Sequence, residues 1–225
     1  VHAMGALTRG LAGREMSAPP FLLDAGAVAL TDADHPVADA KVFLTCLKYA
    51  TSTGALVVHH PQEPSLSAGA CATSGEFASR LGLPSVPAFA ERMMLARDLA
   101  LVGATRARYH ADQLSTEAAL GPLRRAKEAG LPVTAGVSIH HLTLNEIDIA
   151  DYRSFFKLAP PLRAEDDRAA IAEAVAEGAV DVIVSSHLPW DEEAKRLPFE
   201  AAATGAVGLE TFLPACLRLV HGGHI

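Results

Sequence analysis

Five short apolar or β-branched runs recur along this chain, separated by Ala-, Leu- and Glu-rich segments of helical period. The runs are read as strands near Gly26 to Thr31, Leu56 to His60, Arg108 to Leu114, Val133 to Ser138 and Val180 to Ser185. The helical stretches are Asp39 to Thr51, Val86 to Leu101, Thr116 to Ala129 and Glu165 to Glu177. Strands joined by single helices lie parallel, because a parallel neighbour needs a long crossover and a helix supplies it. The alternation therefore restricts the chain to an α/β fold, either a (β/α)8 barrel or a doubly wound sheet. Within Thr116 to Ala129, residues Ala119, Leu120, Leu123 and Ala126 share one face, while Arg124, Arg125, Lys127 and Glu128 point away. Gly130 and Pro132 end that helix, which reads as one packed on the outside of a sheet.

Composition narrows the classes. With 225 residues, 50% hydrophobic and 20% charged, the chain can bury a substantial core, and no internal repeat or linker divides it. A single domain over 1–225 is expected. The net charge of −7, with no run of Lys or Arg among 19, argues against a nucleic-acid surface. Cys46, Cys71 and Cys216 are odd in number and lack a C-x-x-C pair, so neither a disulfide framework nor a cysteine zinc site is indicated. No stretch approaches the roughly 20 apolar residues of a membrane-spanning helix, and the start lacks a signal-peptide pattern. A cytoplasmic location is the expectation.

No G-x-G-x-x-G follows the first strand, so nothing supports a dinucleotide site. Polar clusters stand at the strand ends instead: Thr31-Asp32-Ala33-Asp34, His59-His60, Asp112-Gln113, His140-His141 and Ser185-Ser186-His187. The C-terminal ends of barrel strands converge on one site, so these clusters are placed to face one another. Histidine and aspartate from several strands are the donor types that hold zinc.

Over essentially the whole chain the motifs resemble, in order, those of bacterial-type dihydroorotases, members of the cyclic amidohydrolase superfamily. They are Gly5-Ala-Leu-Thr8, Ala25 through Asp32, Glu63-Pro-Ser-Leu66, Gly75-Glu76, Arg80-Leu-Gly-Leu-Pro84, Ala107-Arg-Tyr-His110, Ser115-Thr116, His140-His-Leu142, Pro160-Pro-Leu-Arg163 and Gly208-Leu-Glu-Thr211. The resemblance implies a TIM-type barrel of the metal-dependent hydrolase kind, entered at about the third strand and running to the helix after the eighth. It also implies reversible cyclisation of carbamoyl aspartate to dihydroorotate, with zinc activating the hydrolytic water. A barrel short of two strands exposes unpaired sheet edges, so further chain or a partner is expected to cover the gap.

The chain departs from that pattern where the chemistry resides. It contains no H-x-H pair. His60 matches the fifth-strand ligand histidine, but H-C-E-D has become His60-Pro61-Gln62-Glu63. The sixth-strand ligand histidine is Gln113, the eighth-strand aspartate is Ser186, and the second histidine of D-H-x-P-H is Trp190. The bridging carboxylate of T-D-D-G survives only as Asp32 or Asp34, and the asparagine of N-P-P-L-R is Ala159, leaving Arg163 as a candidate anion contact. Glutamine and serine are neutral and poor ligands for zinc, which needs three or four protein donors. No intact catalytic set remains, His60 and Asp32 are left as an incomplete metal remnant, and no tightly bound cofactor is expected.

Each remaining residue also has a plain structural reading. His59 is expected against the helix layer, His60 is either a residual ligand or a hydrogen-bonded histidine of the barrel mouth, and His140 and His141 are expected to satisfy backbone carbonyls. His187 alone makes no zinc site, the segment His221 to His224 reads as loop, and Trp190 is expected to pack into space vacated by the lost site. An arginine after Pro-Pro is commonly a surface or helix-start anchor. The reading preferred is a catalytically inactive dihydroorotase-like protein of pyrimidine biosynthesis, oligomeric and a structural partner of aspartate transcarbamoylase. Two alternatives stand beside it. One is an active zinc-dependent dihydroorotase, hydantoinase or allantoinase. The other is a small-molecule sensor using the barrel mouth, with Arg163 as its anion anchor.

Overall fold

The computed structural model describes residues 1–225. Its main sheet has six parallel strands: β1 (Gly5–Ala6), β2 (Leu30–Thr31), β3 (Leu56–His59), β6 (Arg108–Ala111), β7 (Val133–Ser138) and β8 (Val182–Val184), each hydrogen-bonded to the next. Between β3 and β6 the chain forms a separate parallel pair, β4 (Ala72–Thr73) and β5 (Ser85–Val86). The α/β class and the parallel sheet are as the alternation requires. Three strands were not expected from the sequence: β1, β4 and β5 are two residues long, and Gly5–Ala6 carries no β-branched signal.

Several strands are shorter than the sequence suggests, and the backbone gives the reason. Gln113 (φ 53°) and Ser186 (φ 46°) adopt left-handed conformations, which end the extended runs of β6 and β8. The longer helices are Ala40–Thr53, Phe89–Thr105, Glu117–Glu128 and Glu165–Ala176, with Phe212–His221 at the end of the chain. Asp39 caps the first by accepting from the Lys41 and Val42 amides.

The core lies between these helices and one face of the sheet. Val57, Tyr109, Ala111, Val133, Ala135 and Val137 meet Phe43, Leu47, Leu95, Leu99, Leu123 and Ile171 in one cluster of 30 buried residues. Burying each such aliphatic or aromatic side chain contributes about 1.5–3 kcal/mol. Ala119, Leu120, Leu123 and Ala126 of the helix Glu117–Glu128 are the buried ones, the face expected from their spacing. A smaller cluster, including Phe77, Ile149, Leu162 and Phe199, ties the β4–β5 excursion to the segments after β7 and β8.

On the other face His110 meets Thr134, and a side chain at Gly136 would come within 2.9 Å of His110 Nε2. The sheet ends at β8, which pairs only with β7, and at β1, whose outer edge is met by the segment Glu15–Ser17 through a Thr8–Met16 bridge and a bond from the Ser17 amide to the Leu7 carbonyl. Val182 on β8 is 43% exposed, and Leu213 and Leu217 on the neighbouring C-terminal segment are exposed as well. An unpaired edge bordered by apolar side chains is a template for further pairing. No helix is long and apolar enough to cross a membrane.

Inside the helix layer sits a charged network. The Val37 amide donates to His59 Nε2 at 2.9 Å, which places the ring proton on Nδ1, and Nδ1 donates to Asp98 Oδ2 at 2.7 Å. The Tyr109 hydroxyl donates to the same oxygen at 2.8 Å, and Arg97 pairs with Oδ1 at 2.6 Å. Burial and the Asp98 charge raise the Tyr109 pKa well above its ordinary value, so this hydroxyl keeps its proton. Asp98→Ala leaves three donors without their acceptor, and the expected loss is about 3–5 kcal/mol in urea or guanidinium unfolding. A loss below about 1 kcal/mol would mean the network is dispensable.

Candidate functional site

The site is built where β3, β6, β7 and β8 end. Gln113 follows β6 and Ser186 follows β8, both neighbours of β7, and the Ser186 hydroxyl donates to Gln113 Oε1 at 2.8 Å. Gln113 Nε2 makes a longer contact of 3.4 Å with Asp112 Oδ2. The two residues that stand at expected ligand positions are therefore bonded to each other across a strand. Both are non-glycine residues at positive φ, a conformation that costs on the order of 1–3 kcal/mol each and persists only where surrounding contacts impose it.

Asp32 is engaged by Thr8. Its carboxylate accepts from the Thr8 amide at 2.8 Å and from the Thr8 hydroxyl, fastening the end of β2 to the end of β1. Asp34 points outward and pairs with His35 at 2.9 Å. His60 is buried with Nδ1 unpartnered, and burial lowers its pKa against the opposing influence of Asp112 and Glu91. Gln62 is buried beside it in the chain with both amide atoms unpartnered. No group of three or more His, Cys, Asp or Glu side chains converges anywhere to hold a metal ion. With Gln113 and Ser186 neutral and mutually bonded, and Asp32 engaged by Thr8, the donors of this chain do not fit a zinc ion.

Arg163 is neither a surface anchor nor an open anion contact. It is 2% exposed and pairs with Glu91 at 3.6 Å, while Nε donates to Ser115 Oγ at 3.0 Å and Nη1 to Thr73 Oγ1 at 3.2 Å. Glu91 in turn accepts from the backbone and hydroxyl groups of Ser115 and Thr116. This buried cluster joins β4, the start of the helix Phe89–Thr105 and the Pro-Pro segment. Ala159, joined to Pro160 by a cis peptide bond, is exposed and offers no polar group.

The remaining residues are placed as follows. His140 and His141 lie in the short helix Ile139–Thr143, and His141 Nε2 reaches the carbonyls of Pro160 and Pro161 at 3.1 and 3.3 Å. His187 Nδ1 accepts from the Gly208 and Leu209 amides at 3.1 and 3.2 Å. Trp190 does not fill space left by the site: it is 51% exposed and donates from Nε1 to the Thr204 carbonyl. His221 closes the last helix rather than lying in a loop.

Glu91 and Asp98 were not found from the sequence, although a signal existed. On the helix Phe89–Thr105 the buried stripe contains Glu91, Leu95, Asp98 and Val102. Acids at helical spacing on an apolar stripe are expensive unless paired, so each implied a buried cationic or donor partner.

Parallel strands joined by helices, with polar side chains gathered at their C-terminal ends, place this chain in the α/β class whose sites lie at those ends. The sequence matches the Dihydro-orotase-like family over residues 1–119. It is 42% identical to a dihydroorotase of Desulfotalea psychrophila over 223 residues, covering 99% of this chain and 53% of that protein. It is 40% identical to a dihydroorotase of Anaeromyxobacter dehalogenans, covering 99% of this chain and 52% of that one. The chain belongs to the dihydroorotase-like family, and it spans about half the length of the relatives it matches.

Solved structures agree on the fold. An L-hydantoinase (dihydropyrimidinase) from Arthrobacter aurescens superposes with a TM-score of 0.82 at 21% identity, over 100% of this chain and 52% of that one. Dihydroorotase from Saccharomyces cerevisiae, in complex with 5-fluoroorotic acid, gives 0.74 at 15% identity, over 97% and 60%. Each shows a shared TIM-type barrel architecture.

Two predictions follow from this geometry. If the Ser186–Gln113 bond ties the ends of β6 and β8, then Ser186→Ala and Gln113→Ala are non-additive, with a coupling of about 0.5–1.5 kcal/mol in a double-mutant cycle. Strict additivity would show that the bond contributes nothing. The second concerns acid. Burial and the neighbouring Arg163 lower the His141 pKa from 6.5 to about 3, so the unfolded chain protonates first as pH falls. The stability this neutral ring contributes is complete above pH 6.5 and is lost progressively toward pH 3. His141→Gln, which does not titrate, should reduce the slope of unfolding free energy against pH between about 6 and 4 by ~1.4 kcal/mol per pH unit. Identical slopes in the two proteins would contradict the assignment.

Proposed function

We propose that this chain is the barrel portion of a dihydroorotase-like protein that no longer hydrolyses the ring. In this reading it serves pyrimidine biosynthesis as a structural partner of aspartate transcarbamoylase, in a cytoplasmic oligomer. The observation that carries the reading is the Ser186–Gln113 hydrogen bond, which occupies two expected ligand positions with neutral groups committed to each other. Bound zinc in such a site would activate water and polarise the scissile carbonyl.

Without that ion the chain's own groups offer little hydrolytic chemistry. His60 is driven toward its neutral form by burial, Asp32 is spent on Thr8, and His187 accepts backbone amides. Losing several kcal/mol of charge stabilisation lowers a rate by several orders of magnitude, since each 1.36 kcal/mol is about tenfold. The Glu91–Arg163 and Asp98–Arg97 pairs and the apolar cluster of 30 buried residues hold the strands and helices together without any metal, which supports a structural role.

The reading that competes is an active zinc amidohydrolase whose remaining ligands come from outside these residues. The unpartnered Nδ1 of buried His60 favours it, as does the coverage of only about half of each relative. The sensor reading built on Arg163 has no support, because that guanidinium is buried against Glu91. The test uses the natural gene product that carries this chain, with zinc added. Dihydroorotate turnover should stay at the uncatalysed background, and light scattering should detect a stable complex with aspartate transcarbamoylase. Zinc-dependent turnover would overturn the proposal. Background turnover without any complex would remove the scaffold role and keep only the loss of catalysis.

A further inference from the structure

Beyond β8, between the short helix Glu192–Arg196 and the bridge that joins Ala206 to His187, the segment Pro198–Gly205 has no helix or strand of its own. Carbonyls outside a ladder must find donors elsewhere, and here side chains supply them. Lys157 Nζ donates to the Glu200 and Ala202 carbonyls at 2.6 and 2.8 Å, and Lys195 Nζ donates to the Ala203 carbonyl at 2.7 Å. Trp190 Nε1 takes the next carbonyl, that of Thr204, at 2.8 Å. Lys195 also reaches the Ser154 carbonyl at 3.0 Å, and the Ser154 hydroxyl donates back to the Lys195 carbonyl.

This closure is electrostatically unusual. Lys157 and Lys195 are 8% and 7% exposed, and their partners are backbone carbonyls rather than carboxylates. Burial, and then the neighbouring Lys157 charge, lower the Lys195 pKa, so the two cations stand close to one another. Taking like charges out of water is costly, and each carbonyl withdrawn from such a pair leaves a charge poorly met. Apolar anchoring of the segment is modest: Phe199 and Ala202 are buried, whereas Glu200 and Ala201 are exposed. Gly205, at φ 134°, forms the far turn, where a side chain would lie 2.6 Å from the Leu188 carbonyl oxygen.

We propose that Pro198–Gly205 is a strap latched by the two lysines, which opens and closes as one unit while the sheet and its helices stay folded. The latches are shared, and this makes it a unit. Lys157 holds Glu200 and Ala202 through its ammonium and the Gly205 amide through its carbonyl, at 2.9 Å. Lys195 holds Ala203 from one side, and the Ala194 carbonyl next to it in the chain accepts the Ala203 amide at 3.1 Å. The strap runs into Ala206 and Val207, which with Trp190 and Lys195 line a cavity of about 860 Å³ at the ends of β7 and β8. Its opening moves one wall of that cavity, so the strap controls access there. Segments with few buried apolar contacts are the ones that open locally below the global unfolding free energy. This inference concerns local opening and does not rest on the loss of hydrolysis.

Hydrogen exchange of the natural gene product, read by mass spectrometry on peptides covering 186–208 and on peptides of β6 and β7, tests it. The strap amides should exchange with one common protection factor, at least about 100-fold below that of the β6 and β7 amides. Lys195→Met and Lys157→Met should each lower strap protection by about tenfold or more, the size of a lost hydrogen bond to a charged group, and leave β6 and β7 unchanged. Arg196→Gln, an exposed change on the same short helix, should leave the strap as it was. If a lysine variant does not fold, the common protection factor of the unmodified protein still decides. Strap amides as protected as β6 and β7, or amides that exchange at unrelated rates along the segment, would overturn the proposal. So would lysine variants that lower every peptide equally, because the lysines would then serve global stability alone.

Discussion

Consecutive side chains on each parallel strand leave opposite faces of the sheet, and this constraint governs the chemistry of the chain. His59 turns into the helix layer and becomes part of the Asp98 network, while His60, one residue on, is the candidate site histidine with an unpartnered nitrogen. Tyr109 joins the core and Asp98, whereas His110 meets Thr134 on the other face. Past the end of β6 the alternation no longer holds, and Gln113 at positive φ reaches the Asp112 carboxylate at 3.4 Å. Chemistry at the strand ends is therefore decided by register, and register is held by the apolar face of each strand.

The interior spends its charges on architecture. Asp98 receives His59, Tyr109 and Arg97, and Glu91 receives Ser115, Thr116 and Arg163. Removing one member of either cluster strands the others in a medium where an unpaired charge is costly. At the strand ends, where a metal site would concentrate charge, the structure instead has a neutral amide and a hydroxyl joined by one bond.

Much of this was readable in the residues. The alternation predicts the α/β class, and the spacing of Ala119, Leu120, Leu123 and Ala126 predicts the buried face of one helix. What was not readable depends on three-dimensional approach. Arg163 appeared as an anion contact because Pro-Pro-Leu-Arg says nothing of Glu91, which lies 72 positions away and was itself overlooked on an otherwise apolar stripe. Asp32 was given a metal role because its capture by Thr8 requires β1, a two-residue strand too short to leave a pattern. The mutual bond of Gln113 and Ser186 needed the positive φ angles that turn both side chains toward each other, and sequence specifies such angles only weakly outside glycine.

Gln113 and Ser186 hold each other through one hydrogen bond, in positions where an ion would otherwise be ligated. Crystals of the natural gene product grown with excess zinc, with anomalous diffraction collected at the zinc edge, test it most directly. No anomalous peak is expected within bonding distance of His60, Gln113 or Ser186, and the hydrogen bond between the last two should be retained. A strong peak ligated by His60, with Ser186 and Gln113 parted, would contradict it.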